Sequence, residues 1–153
     1  MSTHDFLLTC RCLPLVVRVR FGLWRAPVTS CARQWEADAS RALGRARRGG
    51  ALELEASDVW RRAHAVKRAA RFVPRASCLT QALALQTVLA RDGEACALVL
   101  GVDGAPDALK PFEAHAWVEW RGRVIIGGPI GRWKPLLTVA PTASQQSPGG
   151  AAP

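Results

Sequence analysis

The sequence predicts a single α+β domain, a helical N-terminal part followed by a central helix and a small antiparallel sheet. Three features predict it. Apolar residues recur at helical spacing up to Arg91, short alternating runs separated by turn residues follow from Ala95, and the run Leu79 to Arg91 is apolar around much of its circumference. A length of 153 residues suits one domain with one modest core, and 49% hydrophobic residues argue against global disorder.

Taken in order, residues 1–30 are an irregular apolar-basic segment, read as helical in pieces around Pro14 and Pro27. Residues 34–47 read as a weakly amphipathic helix ended by Gly49 and Gly50. Ser57 and Asp58 look like a helix start, and Val59, Ala63, Val66, Ala70 and Val73 then form one apolar stripe on an Arg/Lys-rich helix that Pro74 stops. Ser77 caps the central helix, which begins at Cys78 and ends at Gly93. Ala95 to Val102 is strand-length, Asp103 to Phe112 reads as a loop, and Glu113 to Trp120 alternates as a strand. Arg121-Gly122 makes a two-residue hairpin turn, Arg123 to Gly127 returns, and Trp133 to Val139 adds one more strand. The organisation expected is a helical, basic segment over 1–50, a core over 51–140 and a disordered Ser/Gln/Gly/Pro/Ala tail over 141–153.

The formal charge of +9 is carried entirely by residues 1–75, with 15 Lys/Arg against 6 Asp/Glu, while residues 76–153 hold 6 of each. A basic half can meet nucleic acid, an anionic membrane or an acidic peptide, or simply present a solvated arginine-rich face. The tryptophans lack the basic-aromatic interleaving of a nucleic-acid platform, so no nucleic-acid partner is expected. The longest uncharged part of the N-terminal apolar run, Cys12 to Val17, is far too short to span a bilayer, and surface contact with a membrane is the weaker alternative to a core or partner-facing helix. Five cysteines, at 10, 12, 31, 78 and 96, form no disulfide framework and point to a reducing cytosol. Cys10 and Cys12 form a C-x-C pair without a second ligand pair at zinc spacing, so neither a metal nor another cofactor is called for.

A thiol is a nucleophile as its thiolate, and the first turn of a helix stabilises that anion through free N–H groups and the helix dipole. Cys78 falls at such a turn. His115, the only histidine downstream of Cys78, lies on a strand between Ala114 and Ala116 and is the candidate base. The backbone N–H of Cys78 is the candidate oxyanion donor. Trp117 and Glu119 share the His115 face of an alternating strand, with Trp117 read as core rather than groove lining. Gln81, one turn after Cys78, His64 and Cys96 read as bystanders, the last as a buried hydrophobe.

The stretches S-C-L-T-Q-A-L-A-L-Q, R-D-G, A-L-V-L-G-V and A-H-A-W-V-E-W-R-G-R-V-I-I-G-G resemble the transglutaminase-like peptidase of lasso-peptide biosynthesis, the leader-peptidase half of the lasso-peptide B protein. The resemblance covers residues 57–137. It implies a transglutaminase-like, papain-like cysteine peptidase core in which Cys78 and His115 are catalytic. It also implies removal of a leader from a ribosomally made precursor, a separate leader-recognition protein, and an ATP-dependent lasso cyclase acting afterwards. The chain resembles the stand-alone form. The family pattern puts an Asp on the strand after the His. With the turn at Arg121-Gly122, His115 is expected to face residue 128, and Gly127 and Gly128 stand there instead. Glu113, Asp103, Asp107, a backbone carbonyl or a water remain as possible partners of the ring, and no third member is assigned. Two rival functions stay open: an acyl transferase using the same Cys-His chemistry, and a non-catalytic basic binding module.

Overall fold

The computed structural model describes residues 3–25, 28–103 and 113–142, with only the backbone described for 28–32. Four helices, α1 (Thr3–Arg25), α2 (Val28–Arg48), α3 (Ala56–Ala70) and α4 (Cys78–Arg91), precede four strands, β1 (Ala97–Asp103), β2 (Ala114–Trp120), β3 (Arg123–Ile126) and β4 (Trp133–Val139). The strands form one antiparallel sheet in the order β3-β2-β1-β4. The α+β architecture is therefore as expected. Of the expected loop over 103–112, Asp103 instead closes β1; residues 104–112, and residues 143–153 of the tail expected from 141, lie outside the described residues.

α1 corrects one expectation. It runs unbroken through Pro14, instead of in pieces. Proline removes one N–H and so frees the carbonyl one turn earlier, at Cys10. Pro14 and Cys10 are both exposed, so water can satisfy that carbonyl. Cys12, Leu15, Val16 and Val19 form the buried stripe of α1. It packs on the stripe of α3, where Val59, Ala63, Val66, Ala70 and Val73 are all buried, as their spacing predicted. Arg68 of α3 ties the pair by donating from Nε to Thr9 Oγ1 (3.0 Å). α2 buries Ala39, Ala42 and Leu43 against Ala90 of α4.

α4 is the centre of the fold. Its Ala82, Leu83, Ala84, Leu85 and Leu89 are buried and join Leu98 of β1 and Ala116, Val118 and Trp120 of β2 in the main core. Gln86, also buried, donates from Nε2 to the carbonyls of Val139 (2.8 Å) and Cys96 (3.3 Å), fastening the helix to the sheet.

Arg121 (φ 47°) and Gly122 (φ 74°) form the hairpin turn, with Trp120 opposite Arg123. The register then shifts: Glu119 faces Val124 but Val118 faces Ile126, so Ile125 is an extra residue on β3. The bulge explains how the consecutive Ile125 and Ile126 are both buried in the core. It also moves the strand by one position, so residue 128 is no longer opposite His115.

Glu94, in the link from α4 to β1, is a buried carboxylate with several partners. It accepts from Trp120 Nε1 (2.8 Å) and from the Leu54 backbone N–H (3.2 Å), and lies 3.7 Å from the Arg121 guanidinium. Glu94→Ala should cost about 2–4 kcal/mol, because it strands the buried Trp120 donor and the half-buried Leu54 N–H. Urea denaturation checks this; a loss below half a kcal/mol would show that water satisfies both donors.

Candidate active site

The chain preceding α4 prepares Cys78. Ser77 adopts extended backbone angles (φ −80°, ψ 172°) and caps the helix: its Oγ accepts from Thr80 N (3.2 Å), while Thr80 Oγ1 accepts from Ser77 N (3.3 Å). Cys78 is thus the first helical residue, beside N–H groups that have no partner within the helix. The box closes with a threonine rather than a glutamate, and the first turn carries no acidic residue. The positive end of the helix dipole is therefore left to whatever anion forms there. The Cys78 side chain is half-buried and packs against the main core.

The other described cysteines offer less. Burial pushes the Cys96 thiol up to about 12, with Glu94 adding to the effect. Burial, and then Asp92, also raise the Cys12 thiol. Cys10 is exposed on α1, away from a helix start. The side chain of Cys31 lies outside the described residues.

His115 is half-buried on β2, and its Nε2 lies 2.6 Å from the Gly127 carbonyl oxygen. A carbonyl only accepts, so Nε2 carries the hydrogen and donates it, and in the neutral ring Nδ1 is left as the basic nitrogen. Of the partners left open by the sequence, a backbone carbonyl is the one that holds the ring, from one of the two glycines that replace the expected carboxylate. Glu113 is not that partner; it is exposed and paired with Arg132. Asp107 lies outside the described residues.

Gly127 is at this position for steric reasons. Its φ is +112°, and a Cβ there would stand 2.4 Å from Trp117 Cβ and 3.0 Å from the Ala116 carbonyl oxygen. The far end of the same indole leaves no room at Gly101, where a Cβ would meet Trp117 Cζ3 at 2.6 Å. Trp117 is wholly buried and donates from Nε1 to Glu119 Oε1 (2.7 Å), so it is core, as the sequence suggested. His115 stacks with Trp117 (centroids 6.2 Å apart, planes at 26°) and more closely with Trp133 of β4 (5.0 Å, 24°). The Arg132 guanidinium lies 4.3 Å from the Trp133 ring centroid.

Residues 92–96 reverse the chain between α4 and β1, which brings the start of α4 and the end of β1 to one end of the layer. Gly101 of β1 pairs with His115, so Cys78 and His115 belong to that same end. Among the described residues no hydrogen bond joins the two side chains. Ala116, Val118 and Trp120 point into the core that Cys78 touches, whereas His115, Trp117 and Glu119 alternate onto the other face. The imidazole reaches sideways, past the last residue of β3, to Gly127. His64 is exposed on α3, and Gln81 is half-buried.

Sequence reasoning left one member of this cluster unassigned and missed another. A backbone carbonyl was among the open partners, but nothing in the residue types singled out that of Gly127. Trp133 had no signal, because its approach to His115 depends on β4 lying beside β1.

A family model described as the transglutaminase-like superfamily matches residues 13–138, from within α1 to the end of the sheet, and the chain belongs to that superfamily. No curated protein and no solved structure gave a match.

Proposed function

We propose that this chain is a cysteine peptidase that removes the leader from a lasso-peptide precursor, with Cys78 as nucleophile and His115 as base. The observation that carries the chemistry is the capped, acid-free helix start at Cys78; an imidazole whose Nε2 is tied to Gly127 O supports it from β2. Nδ1 of His115 takes the thiol proton as the thiolate attacks the scissile carbonyl, and the Cys78 N–H stabilises the oxyanion. The imidazolium returns the proton to the leaving amine, and water, activated by the same ring, resolves the thioester. The reading requires the thiol and the ring to meet in the substrate complex, where catalytic hydrogen bonds tighten. Superfamily membership supports acyl chemistry at a cysteine. The leader-peptide substrate rests on the Ser77–Gln86 and Ala114–Gly128 sequence resemblance.

A cytoplasmic location, a separate leader-recognition protein and a downstream ATP-dependent cyclase follow from the same reading. Among the described residues no helix is long and apolar enough to cross a membrane. The basic face of α3 is the proposed docking surface for the recognition protein. Arg62, bound to Asp92, and Arg68, bound to Thr9, hold the fold together, so charge reversal there would confuse docking with folding. Arg61 and Lys67 are exposed and are the positions to reverse.

The test is incubation of wild type and Cys78→Ala with a precursor and its recognition protein, read by mass spectrometry. Wild type should yield leader and core fragments that together gain one water, and the variant should yield none. Equal cleavage by both would end the reading. A product carrying an added amine in place of water would favour the transferase.

A further inference from the structure

At the opposite end of α4 from Cys78, a cavity of about 280 Å³ between α1, α2 and α4 is lined by Arg18, Arg41, Arg45 and Arg91. Trp35, Asp38, Ala42 and Thr87 complete its wall. The spacing explains the convergence. Trp35, Asp38, Arg41 or Ala42, and Arg45 recur at three to four residues and so share one face of α2. Arg91 is the last residue of α4, and Arg18 comes from α1, its guanidinium carbon 5.9 Å from the centroid of the buried Trp35 ring. Four arginines thus line the cavity against a single carboxylate residue, Asp38, which is bonded to Arg41. Among the described residues no salt bridge engages Arg18, Arg45 or Arg91. Like charges gathered without counter-charge repel one another, and an anion in the cavity would relieve that repulsion.

We propose that this cavity binds a small molecule carrying a diphosphate group. Arginine presents a planar fork of donors that matches phosphoryl oxygens. One phosphate carries about −1.5 to −2 at neutral pH, so two phosphoryl groups match an excess of three positive charges better than one. The volume suits a compact polyanion. Along α4 its Thr87 and Arg91 stand about 14 and 20 Å from Cys78, so the site is separate from the proposed peptidase centre and independent of that function.

Thermal melting of the full chain tests it, with inorganic diphosphate, ADP, orthophosphate and sodium chloride compared at matched ionic strength. Inorganic diphosphate should raise the melting temperature saturably by roughly 5 °C, well above chloride. An equal or larger rise with ADP identifies a nucleotide as the source of the group; a rise with inorganic diphosphate alone identifies the free anion. Arg45→Gln and Arg91→Gln, both at exposed side chains, should each weaken binding about tenfold or more, while Arg61→Gln on α3 leaves it unchanged. A wild-type response equal to that of chloride overturns the proposal without any variant, as does an orthophosphate response matching diphosphate, or equal loss in Arg61→Gln.

Discussion

Gly127→Ala should destabilise the chain by about 3–5 kcal/mol. In a chain of 153 residues that is a fall in melting temperature of roughly 10 °C. Two effects combine. A φ of +112° is a conformation that alanine rarely adopts, and the added methyl would stand 2.4 Å from Trp117 Cβ and 2.8 Å from its Cα. Neither contact is with the free end of a side chain, so β2 and the end of β3 must separate to admit it. Gly128→Ala is the control. Its φ is +73° and a Cβ there meets nothing within 4 Å, so only the backbone preference is lost, about 1–2 kcal/mol. Thermal melting of both variants checks the difference. Equal small losses would show that Trp117 yields, and the steric account of Gly127 would fail.

His115→Ala should lower precursor cleavage about 10³-fold, the middle of the range for a general acid–base residue. This expectation rests on the proposed peptidase reading. The alanine variant leaves Cys78 and its cap intact but removes the acceptor of the thiol proton and the donor to the leaving amine. His4→Ala, exposed near the start of α1, should cleave at the wild-type rate. Single-turnover rates with the recognition protein present make the comparison, and circular dichroism confirms that each variant is folded. Cleavage by His115→Ala within threefold of wild type would remove His115 from the mechanism.

Much of the fold was legible because its signals are local. The stripe from Val59 to Val73, the cap at Ser77 and the turn at Arg121-Gly122 each need only a few neighbouring residues to be read, and each lies where its chemistry placed it. Continuity of α1 through Pro14 was not legible, since it turns on which side of the helix faces water. Nor was the bulge at Ile125, because the sequence of β3 alternates no differently whether the ladder slips or not; burial of two adjacent isoleucines settles it. At the candidate site, Cys78 and His115 were named from residue type and placement. The support for the ring was not, because carbonyl groups carry no sequence signature and Trp133 arrives from a strand added at the far side of β1. Arg62 and Arg68 looked like surface charge until their partners on other elements were visible.

The Gln86 side chain has a consequence for the order in which the molecule comes together. Its amide nitrogen is buried and has acceptors at both ends of the sheet's sequence, Cys96 before β1 and Val139 at the close of β4. During synthesis the helices can associate early, since their contacts are with elements already made. β1 acquires its β4 neighbour only after the chain has passed Trp133, and until then Gln86 holds one acceptor instead of two. Closure of that long loop is slow relative to helix pairing. The nascent chain therefore exposes one edge of β1 until the last strand docks, and this interval is its main opportunity for misassociation with other chains.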